Sequence, residues 1–223
     1  MAVRFGEVRN LLLIPILLLC WLSFITIQWG VADLRIGFAG EYFDQWSKQK
    51  SSPTVEDWQR VHSTLLKAEG LTNSDHPDVK ELLGKLYLVG SGLKKEPEEY
   101  IINALQYYQQ AAALRPVSPY PWAIIALIQH TLGRYDADFD YALSQASYYG
   151  HWNPDTLLVI TEIAFSSNES ELSLEARSRL NNNVSRAIVV QRAKVIALAK
   201  KYGVVETLCH QYLNEQKPGK LCN

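Results

Sequence analysis

From Leu11 to Trp29 the chain runs for nineteen residues without a charged side chain, interrupted by polar groups only at Ser23, Thr26 and Gln28. A helix rising about 1.5 Å per residue carries such a run across roughly 28 Å, close to the thickness of a bilayer's hydrocarbon core. Apolar all round, it has no face to offer water. Pro15 falls in the opening turn, where a missing amide proton costs least, and Trp21 and Trp29 suit lipid or its far interface. The run exceeds the hydrophobic stretch of a secretory leader, and Gly30-Val31-Ala32-Asp33 provides no small-x-small cleavage site. Cys20 sits between Leu19 and Trp21, without the small residues that precede a lipidated cysteine. An uncleaved single-pass anchor is therefore expected. Arg4, Arg9 and the α-amino group precede it, which places residues 1–10 in the cytoplasm and the remainder of the chain outside.

Over the whole chain 22 Lys and Arg balance 23 Asp and Glu, with no basic run. Nucleic acid is excluded as a partner on that ground, because binding it depends on clustered cations that release counterions. Val31, Leu34, Phe38, Tyr42 and Trp46 recur at three- and four-residue steps, which predicts a juxtamembrane helix with these five on one face. The polar stretch from Lys48 to Pro53 predicts a linker closing this 30–53 segment. From Thr54 onward the apolar period is helical throughout, with loops marked by Pro, Gly and Asn and no alternating β-branched run. The fold class is all-α.

Within that helical portion a repeat is visible. Ala104, Tyr108, Ala111 and Pro116 match the second helix of a tetratricopeptide repeat, in which small residues let two helices approach, an aromatic fills the gap and proline begins the next turn. Leu83, Gly84 and Tyr87 match the first helix, separated from the second by an enlarged loop from Gly90 to Pro97. A further hairpin begins at Pro119, carries Trp122 at the aromatic position, turns at Gly133-Arg134-Tyr135 and returns through Phe139, Leu143 and Ala146. Trp58, Leu65 and Ala68 form an earlier, poorer copy. The expectation is a tetratricopeptide-like helical-hairpin stack, an α-solenoid, over residues 54–154. Residues 155–223 would cap it with a helix ending near Ser166, another from a Ser173 cap to Gln191, and a third from Ala193 to Tyr202.

Several motifs of this region bear a family likeness: Tyr107-Tyr108, Leu114-Arg115-Pro116, Pro119-Tyr120-Pro121-Trp122-Ala123, Leu132-Gly133-Arg134-Tyr135-Asp136 and Gly150-His151-Trp152-Asn153-Pro154. With them the chain resembles the VpsP family of bacterial exopolysaccharide-biosynthesis proteins. The resemblance implies an inner-membrane protein with a periplasmic helical domain, partnered by polysaccharide synthesis or export proteins or, in the alternative, by the polysaccharide itself. His151 and Asn153 depart from the usual choices in the last motif.

Candidate binding residues are the aromatics around the central hairpin: Tyr120, Trp122, Tyr148, Tyr149 and Trp152. Aromatic rings bind sugars by stacking on their apolar faces. Against this, Trp122 occupies a packing position of its repeat, whereas Trp152 stands in a loop, where aromatics more often bind. Cys209 and Cys222, close together in an oxidising space, either form a disulfide pinning the last segment or remain two unrelated thiols. Asp136, Asp138 and Asp140 lack the glycine and closing glutamate of a calcium loop, so a solvated helix start is expected. No nucleophile motif, paired-carboxylate motif or metal-ligand spacing is found, and neither catalysis nor a cofactor is expected. Asn168-Glu169-Ser170 and Asn183-Val184-Ser185 match glycosylation acceptors by coincidence of composition.

Overall fold

A computed structural model describes residues 5–49, 52–93 and 97–213 of the chain. They contain helices and turns and no strand. Two compact units are present, Met1–Ala104 and Leu105–Asn223, and the boundary between them falls inside a helix.

The first unit is built on α1 (Phe5–Gln49), one unbroken helix of 45 residues; because it begins before Leu11, Pro15 lies in its interior and not in its opening turn, and one backbone hydrogen bond is lost there. Its Leu13–Gln49 portion is long and apolar enough to cross a membrane, and the apolar window is unburied by the rest of the protein. The same helix then serves as a packing element. Ala32, Ala39 and Phe43 are buried against α2 (Val55–Leu71) and α3 (Pro77–Ser91), which also pack on each other.

This differs from the expected juxtamembrane face. Leu34 is 76% exposed and Phe38 is also exposed. Steps of four residues advance about 400° around a helix of 3.6 residues per turn, so 34, 38, 42 and 46 drift through about 120° and cannot share one contact line. Small residues at 32 and 39 set the close approach instead. Helix and expected linker also differ in extent, since α1 runs through Lys48 to Gln49.

Polar contacts fix the same interface. His76, which precedes α3, is buried with Nε2 3.4 Å from Asp33 and its ring 5.2 Å from that of Trp29. Tyr42 accepts a hydrogen bond from Arg60 at 3.3 Å, and Lys85 lies 4.6 Å over the Phe43 ring. Between α2 and α3, buried Lys80 pairs with Glu69. Trp58 anchors the interior: its indole donates to the Leu86 carbonyl at 2.8 Å and its ring stacks on His62 at 4.7 Å. Tyr100, in the first turn of α4 (Glu98–Leu114), lies against Trp58 and Tyr87. Gly90 makes room for this group, because a Cβ there would stand 2.5 Å from Trp58 Nε1 and 2.9 Å from the Tyr100 ring.

The second unit takes up α4 from Leu105. Ala104, Tyr108 and Ala111 are all buried, on one face as their spacing predicts. Next come α5 (Pro119–Thr131), with proline in its first turn, and α6 (Ala137–Tyr149), joined by a turn in which Gly133 adopts φ 67°. Asp136 caps α6 by accepting from the amides of Asp138 and Phe139, so this acidic group serves a helix start. After α7 (Pro154–Ser166) and a short 3-10 turn comes α8 (Leu174–Tyr202). Ser173 Oγ caps α8 through the Ala176 amide, and Gly203 closes it with φ 70°. Gln191 leaves helical geometry (φ −142°, ψ 49°), so α8 is two helices meeting at a kink, at the residue where the sequence predicts the first to end. A last short helix, α9 (Val205–Leu208), runs into a π-helical turn, Cys209–Leu213.

Contacts in this unit follow a pattern. The helices α5 and α6 pack on each other, as do α7 and α8, while α5 also touches α7 and α6 touches α8. Each hairpin thus meets the next, first helix to first and second to second. Leu157, Val184, Ala187, Ile188, Val195, Ala199, Leu208 and Cys209 form the core of the α7–α9 layer.

Candidate functional site

The central motif Gly150-His151-Trp152-Asn153-Pro154 divides into scaffold and surface. Gly150 lies where the end of α6 meets the starts of α5 and α7, and a Cβ there would come within 2.5 Å of Thr156 Cγ2 and 2.7 Å of both the Ala146 carbonyl and Pro119 Cβ. Asn153 caps α7 by accepting from the Thr156 amide at 2.9 Å, and Pro154 supplies the first turn. Three of the five residues are thereby explained by packing and capping. His151 and Trp152 face outward.

Beside them lies an open cleft of about 590 Å³. One wall comes from the end of α6 and the following loop, with Tyr148, Tyr149 and His151; the other is the face of α8 that carries Arg179, Asn183 and Arg186. Tyr148 is 72% exposed and lies edge to face with Tyr149, ring centroids 5.0 Å apart. His151 is held through Nδ1 at 3.0 Å from the Tyr148 carbonyl, and Trp152, 58% exposed, stands edge-on beyond it at 6.1 Å. On the opposite wall Asn183 is wholly buried, donating to Ser147 Oγ and to the Arg179 carbonyl, each at 2.8 Å. That burial removes Asn183 as a glycosylation acceptor. Arg179 pairs with Glu175 one turn earlier on its helix.

Of the aromatics singled out from sequence, Tyr148 and Tyr149 line the cleft and Trp152 stands at its margin through His151. Trp122 does not join them: half-buried, its indole donates to the Pro116 carbonyl at 2.9 Å and its ring meets Tyr141 at 90°. Tyr120 is half-buried in the first turn of α5 and is not among the cleft residues. The α8 wall was missed. Its signal was present in the sequence as Arg179, Asn182, Asn183 and Arg186, a polar stripe at i, i+3, i+4 and i+7 that sets all four on one helix face. Cys209 is buried in the α7–α9 core and disulfide-bonded, while Cys222 lies outside the described residues. Cys20 is an exposed free thiol on α1.

One arrangement has the outline of a nucleophile and base. His130 Nε2 is 2.8 Å from Ser166 Oγ, and its Nδ1 is 2.7 Å from the Tyr135 hydroxyl. The Ser166 proton is committed to the Glu162 carbonyl at 2.7 Å, so Nε2–H donates to Ser166, while the Tyr135 hydroxyl beside Nδ1 also hydrogen-bonds the Glu171 carboxylate. Burial lowers the His130 pKa and keeps the ring neutral. The group reads as a structural link from α5 to the end of α7. Among the described residues no group of three His, Cys, Asp or Glu side chains is placed to hold a metal ion.

Nearby, Glu162 ties α7 to the far half of α8. It accepts from Lys201 at 2.7 Å and Tyr202 at 2.6 Å. Burial alone would raise the Glu162 carboxyl, but these two donors outweigh it and hold its pKa below the ordinary value, while Lys201 is pushed up to about 12 by its hydrogen bonds to Glu162 and Tyr202.

Comparison of the chain with family models, curated proteins and solved structures finds no match.

Proposed function

We propose that the chain is a single-pass bacterial inner-membrane protein whose periplasmic part is a tetratricopeptide-like hairpin stack, acting as a scaffold for exopolysaccharide synthesis or export. The observation that carries the scaffold reading is the pairing in the second unit, where α5–α6 and α7–α8 contact each other first helix to first and second to second. Stacked hairpins of this kind bury a continuous core and leave extended surfaces for other proteins. The polysaccharide role rests on the resemblance of the central motifs to the VpsP family, and the orientation rests on Arg4 and Arg9 preceding the span.

Deletion and complementation test this reading. Polymer output is expected to fall on deletion, to return with the full chain, and to stay low when residues 105–223 are produced without residues 1–49. Unchanged output in the deletion strain argues against it.

A second reading, a glycan-binding module of the same pathway, is favoured by one observation: Tyr148, Tyr149 and Trp152 are exposed around a single cleft instead of being spent on the core.

A further inference from the structure

The cleft has a feature that protein docking does not require. Both hydrogens of the Asn183 amide are used, on Ser147 and on the Arg179 carbonyl, yet Asn183 Oδ1 is buried without a hydrogen-bond partner. Buried carbonyl oxygens are almost always satisfied, so this wall is polar beyond what packing α6 on α8 needs. One turn on, Arg186 lines the same wall half-buried, with no ion pair among the described residues. Arg179 lies one turn back and shares its charge with Glu175. A guanidinium presents a planar fork of donors that matches a carboxylate in two-point contact. The wall therefore asks for a molecule carrying an anionic group.

Across the cleft the requirement is different. Tyr148 and Tyr149 offer ring faces and edges to solvent, and Trp152 extends that surface past His151. Such surfaces suit the apolar C–H face of a pyranose, whose rim carries hydroxyls. An acidic peptide brings carboxylates and amide donors but no flat apolar ring to match the aromatics.

We propose that this cleft binds a carboxylate-bearing saccharide. The carboxylate sits on Arg186 with help from Arg179, and a sugar face lies on Tyr148 or Tyr149. The cleft volume lies in the range of small-molecule sites. This assignment names the ligand class for the glycan-binding reading and rests on it.

Calorimetric titration of the full chain in detergent micelles, with tetragalacturonate, neutral cellotetraose and tetraglutamate as probes, separates the possibilities. Tetragalacturonate is expected to bind at least tenfold more tightly than the other two. Arg186→Met and Tyr148→Ala should each weaken it at least tenfold, with Arg186→Lys in between; Tyr148 is so exposed that its removal leaves the core intact. Equal binding of cellotetraose overturns the acidic assignment while leaving a glycan-binding module standing. Equal binding of tetraglutamate makes the site one for acidic peptides and overturns the saccharide. Binding unaffected by either variant overturns the placement in this cleft, and no binding of any probe overturns both the assignment and the reading beneath it.

Discussion

At the scale of single residues, the least conspicuous positions govern the site. Gly150 is buried and flanked so closely that Gly150→Ala must displace the Ala146 carbonyl or the start of α5, at a cost of about 1–3 kcal/mol. Gly90→Ala meets Trp58 and Tyr100 and should cost a similar amount in the first unit. Gly70, with open space where its Cβ would be, is the control: Gly70→Ala should be neutral or stabilising. Thermal unfolding of the three variants checks this, and equal effects at all three positions would refute the packing account. The central motif was legible in the sequence as a motif, but not which of its residues serve packing, since close approach at Gly150 depends on Pro119 and Thr156 arriving from other helices. The stripe on α8 was equally readable, and it acquires meaning only once α6 is known to face it.

Titration belongs to this scale too. His62 and His130 are lowered from their ordinary 6.5 chiefly by burial, so the unfolded chain takes up protons first as pH falls. Their contribution to stability is whole above 6.5 and is lost as pH drops from there toward their folded values. Glu162, held below its ordinary 4.5, contributes above that value and is lost as pH falls through its folded pKa. Melting temperature is thus expected to decline from pH 7.5 to pH 5 and again below pH 4.5, with His130→Gln flattening part of the first decline. A melting temperature that rises as pH drops from 7.5 to 5 would contradict the assigned neutral histidines.

At the scale of elements, two helices show what local sequence conveys and what it leaves out. The Ser173 cap, the interruption at Gln191 and the stop at Gly203 were all readable, because caps and breakers act within a turn or two. How the two halves of α8 are held depends on tertiary partners: Leu157 and Ala187 in the core, and the Glu162–Lys201–Tyr202 link past the kink. Glu162→Gln should destabilise the protein by about 0.5–1 kcal/mol, since Lys201 is well exposed and solvent screens the pair. Hydrogen exchange should quicken in residues 192–202 more than in 174–190; uniform quickening would mean that the link does not act on the far half. In α1 the apolar span was plain from composition, whereas its packing face was not. Large side chains at 34 and 38 drew attention from Ala32 and Ala39, which are buried because a small residue lets a neighbouring helix approach.

At the scale of the whole molecule, the segment apolar enough to cross a membrane and the segment that packs on α2 and α3 belong to one continuous helix, with no break among residues 5–49. With Trp29 against His76, the start of α3 lies at the level of the last residues of the span. A membrane-impermeant maleimide should label a cysteine introduced at Trp152 once the outer membrane is opened, with Cys20 replaced by serine; protection until the inner membrane is lysed would reverse the proposed orientation. Cys209 should be recovered joined to Cys222 in a non-reducing digest. The all-helical class was legible from the apolar period, and three small residues that recur at near-repeat spacing, Ala68, Ala111 and Ala146, are all buried. What these hairpins hold is not written in any one segment. The most direct test of the scaffold is crosslinking in native membranes followed by recovery of the chain: the account expects an exopolysaccharide synthesis or export protein to be captured, and less of it when the exposed surface of residues 105–213 is altered. Recovery of no protein partner from membranes that still make polymer would contradict it.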